Sequence, residues 1–109
     1  MLQQVSPEWK YHFCLHANET LLRLEQTPKL VIAQIEGRVG GGGSELSAAF
    51  DMRFGVRGKT RINQMEVPLG IMPGGTGTQR LPRLIGRGRA MELILSGDDM
   101  DAETAERWG

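Results

Sequence analysis

The chain has 109 residues, enough for one small domain that buries roughly 60–65% of its unfolded surface. Thirteen basic residues balance thirteen acidic ones for a net charge of zero, which argues against a protein that coats nucleic acid or lies on an anionic membrane. No apolar run approaches the roughly 20 residues of a membrane span, MLQQVSPEWK lacks an apolar signal core, and a lone Cys14 rules out an internal disulfide or a four-cysteine zinc site.

Residues 8–26 predict a helix, because Trp9, Phe13, Ala17, Leu21 and Leu24 recur at helical spacing and make one apolar stripe. Pro28 disfavours helical geometry at Thr27 and ends it. Residues 30–35 form a short apolar, β-branched run and predict a buried strand. A glycine segment, 37–43, follows at once, and SELSAAF (44–50) then reads as helical. Residues 51–56 predict a second short strand, 57–65 a polar loop, and 67–72, with Pro68 and Gly70, at best an irregular strand. Residues 78–85 and 87–95 predict helices, with Pro82 in a first-turn position and Gly86 and Ser96-Gly97 as stops. Asp101 is a good N-cap for a last helix, with Glu103 in its first turn and Arg107 at its end.

A strand, a glycine turn and a helix start aim unpaired N–H groups at a ligand, which suits a phosphate or an oxyanion. The segment from Gly37 to Gly42 fits a G-x-x-x-x-G phosphate loop with Ser44 in place, but Gly43 stands where that loop needs its lysine. The other reading rests on carboxylates. Glu45 projects from the first helical turn, and Glu66 precedes a second glycine-rich turn, PLGIMPGGTGTQ. Two carboxylates beside one set of N–H donors can hold a water, move a proton and stabilise an enolate. Each also has a bland reading: Glu45 as a partner of the helix dipole, Glu66 as a solvated loop residue.

The segments PKLVIAQIEGRVGGGGSEL, DMRF, QMEVPLGIMPGGTGTQRLPRLIGRGRAMELILSG and DAETAERWG decide between these readings. In this order and spacing, residues 28–109 resemble the enoyl-CoA hydratase/isomerase (crotonase) superfamily, truncated at both ends. The resemblance implies an α/β, partial crotonase-type (ClpP/crotonase-like) fold, with short strands and glycine-rich turns followed by a helix-rich C-terminal part. It implies a single partial domain over 1–109, divided into an N-terminal helix (1–27), a site region (28–75) and a helical region (76–109). The family's G-G-G-x-E signature places Gly42 as the N–H donor to the thioester oxyanion, Gly41 and Gly43 beside it as oxyanion- or substrate-binding residues, and Glu45 as its glutamate. Glu66 matches the family's second glutamate.

Hydratases in the family use both glutamates to hold the water that adds across the C2–C3 bond, and many isomerases keep only the second. The implied activity is therefore hydration of a 2-enoyl-CoA thioester, with isomerisation or another acyl-CoA reaction as the alternative. A further alternative is a non-catalytic assembly fragment. The resemblance implies an acyl-CoA substrate, coenzyme A as part of that substrate, no separate cofactor, no metal, and a role in fatty acid metabolism. It also implies a homo-oligomer, trimer or hexamer, in the cytoplasm, without nucleic-acid or membrane partners. Met65 departs from the family's proline, Asn63 from its glycine, Phe50 from a small residue, and Pro68 is unusual in its segment. The family's upstream half, with the second oxyanion donor, finds no counterpart before residue 28, and the acyl-pocket segment none after Gly109, so the chain reads as a middle piece.

Other residues invite blander readings. His12 and His16 are four apart but lack a third ligand, and read as surface residues. Cys14 reads as a buried small residue rather than a nucleophile. Arg80, Arg83, Arg87 and Arg89 read as solvated helix faces or subunit contacts rather than a phosphate site. Asp51 reads as a structural hydrogen-bonding residue, and Met65, Met72, Met91 and Met100 as pocket or core filler.

Overall fold

A computed structural model describes residues 4–109. Helix α1 (Pro7–Glu25) starts where the sequence allows: Ser6 Oγ accepts the Trp9 N–H at 3.1 Å, and Pro7 occupies the first turn, where no N–H is needed. Its apolar stripe is only partly covered. Leu21 is buried, whereas Trp9 and Phe13 stack on each other at 5.0 Å and remain exposed. Cys14 on the same helix is exposed, which corrects its reading as a buried residue.

Strand β1 (Ile32–Ile35) buries Ala33 and Ile35 and exposes Ile32 and Gln34. It pairs in parallel with β3 (Met52–Gly55), Ile32 opposite Met52 and Gln34 opposite Phe54. Asp51 has the structural role expected of it, as its Oδ2 accepts the Val31 N–H at 2.8 Å beside this ladder.

A second sheet joins β2 (Arg38–Gly40), β4 (Arg61–Asn63) and β5 (Met100–Asp101), with β4 in the middle, parallel to β2 and antiparallel to β5. Strands β2 and β4 correct two sequence readings. The glycine segment begins as a strand, and the polar stretch 57–65 contains one. Strand β4 escapes a pattern search because only Ile62 is apolar in it, and the buried Asn63 works by hydrogen bonding. Residues 67–72 do not form a strand either. Val67–Leu69 is a 3₁₀ helix, with Pro68 unable to donate to a ladder and Gly70 closing it at φ 79°.

Helices α2 (Gly42–Ala48), α3 (Gly77–Ile85), α4 (Arg87–Ser96) and α5 (Ala102–Trp108) complete the domain. Pro82 lies inside α3 rather than in its first turn. Asp101 caps α5 as expected, its Oδ1 accepting the Thr104 N–H at 2.8 Å. The core gathers Ala48, Leu81, Ile85, Ala90, Leu93, Ile94 and Met100, and Trp108 folds back against it with the Arg89 guanidinium 5.6 Å from its ring centre. Met72 and Met91 are exposed, so of the four methionines weighed as filler only Met100 joins the buried core.

Leu93, 3% exposed, sits in that core. Leu93→Ala should cost about 2–5 kcal/mol through lost burial and the cavity left behind. Urea unfolding checks this, and an unchanged midpoint would contradict the packing described. Among the described residues no helix is long and apolar enough to cross a membrane.

Candidate active site

Strand β2 carries the chain into Gly41, whose backbone (φ 55°, ψ −127°) only glycine adopts without strain. The Gly41 N–H is already engaged by the Asn63 carbonyl at 3.1 Å, which extends the β2–β4 pairing by one residue. Of the three glycines named above, Gly41 therefore shapes the turn instead of offering a donor. Gly42 and Gly43 open α2, where the N–H groups of the first turn have no intrahelical partner. Gly42 is exposed and a Cβ there would meet nothing within 4 Å, whereas one on Gly43 would press on Val39 at 2.9 Å.

Glu45 is 3% exposed. Its carboxylate reaches across to the 74–77 turn, where the Gly75 N–H donates to both of its oxygens at 2.9 Å and the Gly77 N–H to Oε1 at 2.8 Å. Side chains are excluded from that turn. A Cβ on Gly75 would run into the Glu45 carboxylate, and one on Gly77 would lie 2.9 Å from Oε1 and 3.2 Å from Gln64 Nε2.

Glu66, 7% exposed, stands against the other glycine turn, its Oε1 only 3.1 Å from where a Gly41 Cβ would be. Its Oε2 accepts the Gln64 Nε2–H at 3.2 Å, and Gln64 is fully buried. The fold thus brings Glu45, Glu66 and the first glycine turn together, the two acids being 21 residues apart in sequence. Asn63 and Met65, the departures noted above, both press on Gly40, where a Cβ would clash with Asn63 Oδ1 and lie 2.7 Å from Met65 Cε.

The Glu45 carboxyl is held above its ordinary value of 4.5, first by burial and also by the Glu66 charge, against the lowering effects of the Gly77 and Gly75 N–H groups and of Arg80. Folded Glu45 therefore binds its proton more tightly than the unfolded chain does. Its contribution to stability is complete below the unfolded value and is lost as pH rises through the raised folded value. Glu45→Gln cannot ionise and should flatten the fall in stability above pH 4.5. Urea unfolding across pH measures this, and an unchanged slope would contradict it.

Three residues of this arrangement were not legible as site residues: Gly75, Gly77 and Gln64. The only sequence signal for the two glycines is the second glycine cluster itself. Arg80, read as a solvated helix-face or subunit-contact residue, is buried within the chain at 7% exposure, whereas Arg83, Arg87 and Arg89 are exposed. His12 and His16 are exposed, and among the described residues no group of three His, Cys, Asp or Glu side chains could hold a metal. A cavity of about 500 Å³ lies beside β3, α3 and α5, lined by Ile35, Ser47, Arg53, Phe54, Leu81 and Ala105 among others, and includes neither Glu45 nor Glu66.

A strand–glycine turn–helix unit that buries one acid against a second glycine turn, with another acid beside it, defines a crotonase-type α/β protein. The chain belongs to the enoyl-CoA hydratase/isomerase family, which it matches over residues 2–109. The likeness therefore begins well before residue 28 and includes α1. The chain is 42% identical over 97 residues to a short-chain-enoyl-CoA hydratase of Clostridium acetobutylicum, covering 89% of this chain and 37% of that protein. An enoyl-CoA isomerase/hydratase of Mycosarcoma maydis is 44% identical over 89 residues, 82% of this chain and 32% of that one. Among solved structures, an enoyl-CoA hydratase from Thermoplasma volcanium superposes with a TM-score of 0.93 at 37% identity, covering 100% of this chain and 44% of that one. One from Bacillus anthracis gives 0.91 at 42% identity, covering 98% and 41%. The chain spans less than half the length of each of these relatives.

Proposed function

We propose that this chain carries the acid–base half of an enoyl-CoA hydratase site, in which Glu45 and Glu66 hold a water against a 2-enoyl-CoA thioester. The observation that carries this reading is the burial of Glu45 and Glu66, 3% and 7% exposed, each with its carboxylate against one of the two glycine turns. An isomerase needs one group to move a proton, whereas hydration needs a second to hold the water, and both are kept here.

The thioester oxygen faces the start of α2, where the Gly42 N–H stabilises the enolate that develops as the bond is attacked. The water oxygen bonds to C3 while the C2–C3 π electrons move onto the thioester. The hydrogen lost by the water passes to the glutamate pair, and Glu66 delivers one proton to C2. The elements of one water are then added, and the pair regains its starting charge. Coenzyme A enters as part of the substrate, and the chemistry calls for no separate cofactor. The proposal extends to a homo-oligomeric, cytoplasmic protein of fatty acid metabolism.

Mass spectrometry of the product formed from crotonyl-CoA in heavy-oxygen water tests the reaction type. The 3-hydroxyacyl-CoA carrying the heavy oxygen supports hydration. Double-bond migration in a longer 2-enoyl-CoA, without oxygen incorporation, would make the chain an isomerase.

A further inference from the structure

Arg80 is an uncommon burial. With the residue only 7% exposed, its guanidinium has been largely taken out of water and needs fixed partners to be tolerated. One partner is Glu25 at the end of α1, whose Oε2 accepts from Nη2 at 3.0 Å. The other is Thr76, whose Oγ1 accepts from Nη1 and itself donates to the Gly75 carbonyl at 2.5 Å. Nε has no partner among the described residues.

Thr76 is the residue that explains this expense of charge. It has φ 71°, the one positive φ among the described non-glycine residues, and a β-branched residue adopts that conformation only when its surroundings hold it there. Its carbonyl accepts the N–H groups of Gln79 and Arg80, both at 2.9 Å, so α3 is locked onto the turn through its backbone as well. Thr76 lies between Gly75 and Gly77, the two donors to Glu45.

We propose that Arg80 is a positioning residue for Glu45: through Thr76 it holds the Gly75 and Gly77 N–H groups on the carboxylate, and Glu25 anchors it to α1. Arg80 touches no substrate in this scheme. It acts by fixing the peptide planes that fix the acid, and the device links the first helix to the site. The charged groups that bear on Glu45 are Glu66, ahead of the 3₁₀ helix, and Arg80 on α3. The catalytic consequence rests on the hydratase reading, but the positioning itself does not.

Carbon-detected NMR titration of the Glu45 carboxyl in the whole chain, assigned with Glu45→Gln, tests the proposal in Arg80→Gln, Arg80→Lys and Thr76→Val. Arg80→Gln should move the Glu45 midpoint to higher pH, Arg80→Lys by less, and Thr76→Val, which changes no charge, should also move it up. Thermal melts run alongside. Should Arg80→Gln fail to fold, Arg80→Lys and Thr76→Val carry the same readout. Lower melting temperatures with an unmoved Glu45 midpoint would make Arg80 a purely structural ion-pair residue and overturn the proposal. With crotonyl-CoA, Thr76→Val should lower kcat by about tenfold or more at unchanged KM, as expected of a misplaced catalytic group. If the unmodified chain hydrates nothing, the hydratase reading fails, while the titration still decides the positioning.

Discussion

Glu66→Gln should lower the rate of crotonyl-CoA hydration by at least about 10²-fold, the usual scale of a lost general acid–base group, and leave the fold intact. The amide is isosteric with the carboxyl it replaces. Its oxygen can still accept from Gln64 Nε2, the 3.2 Å bond that orients Glu66, and it fits the space beside Gly41. In the proposed reaction, what is lost is the ability to hand a proton to C2. Steady-state kinetics with circular dichroism as the fold control measure the effect. A folded variant with an unchanged rate would remove Glu66 from the chemistry.

Gly75→Ala should be nearly as damaging for a different reason. The new methyl would occupy the position of the Glu45 carboxylate, so either the turn or the acid must move. Forcing a side chain into a filled site costs about 1–3 kcal/mol. A displacement of about 1 Å at a catalytic group can cost 10²-fold in rate. Gly74→Ala is the control, since a Cβ on Gly74 meets nothing within 4 Å, and it should retain nearly full stability and rate. Equal behaviour of the two variants, by urea unfolding and kinetics, would contradict the role given to the 74–77 turn.

The contrast between adjacent glycines shows where sequence reasoning stops. The first glycine turn was legible because it follows an apolar strand and precedes a helix, and local order implies what such a turn does. The second serves an acid 30 residues earlier in the chain, and no local pattern records that pairing. Helices fared better than strands. Ser6, Pro7 and Asp101 mark the starts of α1 and α5 by local chemistry, whereas β4 is polar and three residues long and is defined only by its partners on either side. Periodicity does not by itself specify burial. The stripe on α1 is correctly spaced, yet Trp9 and Phe13 are exposed. Arg80 lies in a run of arginines whose other members are solvated, and only the fold separates it from them.

The two glutamates themselves carried little weight by spacing alone. Resemblance to the family singled them out, and the structure adds that both are buried, each against one of the two glycine turns. The central claim is that these groups form a working hydratase site. Its most direct test is hydration of crotonyl-CoA by the purified, folded chain, followed as loss of the conjugated thioester's ultraviolet absorbance, beside the Glu45→Gln/Glu66→Gln double variant. Turnover that the double variant abolishes is the predicted result. No turnover from the folded chain, or turnover that survives in the double variant, would contradict it.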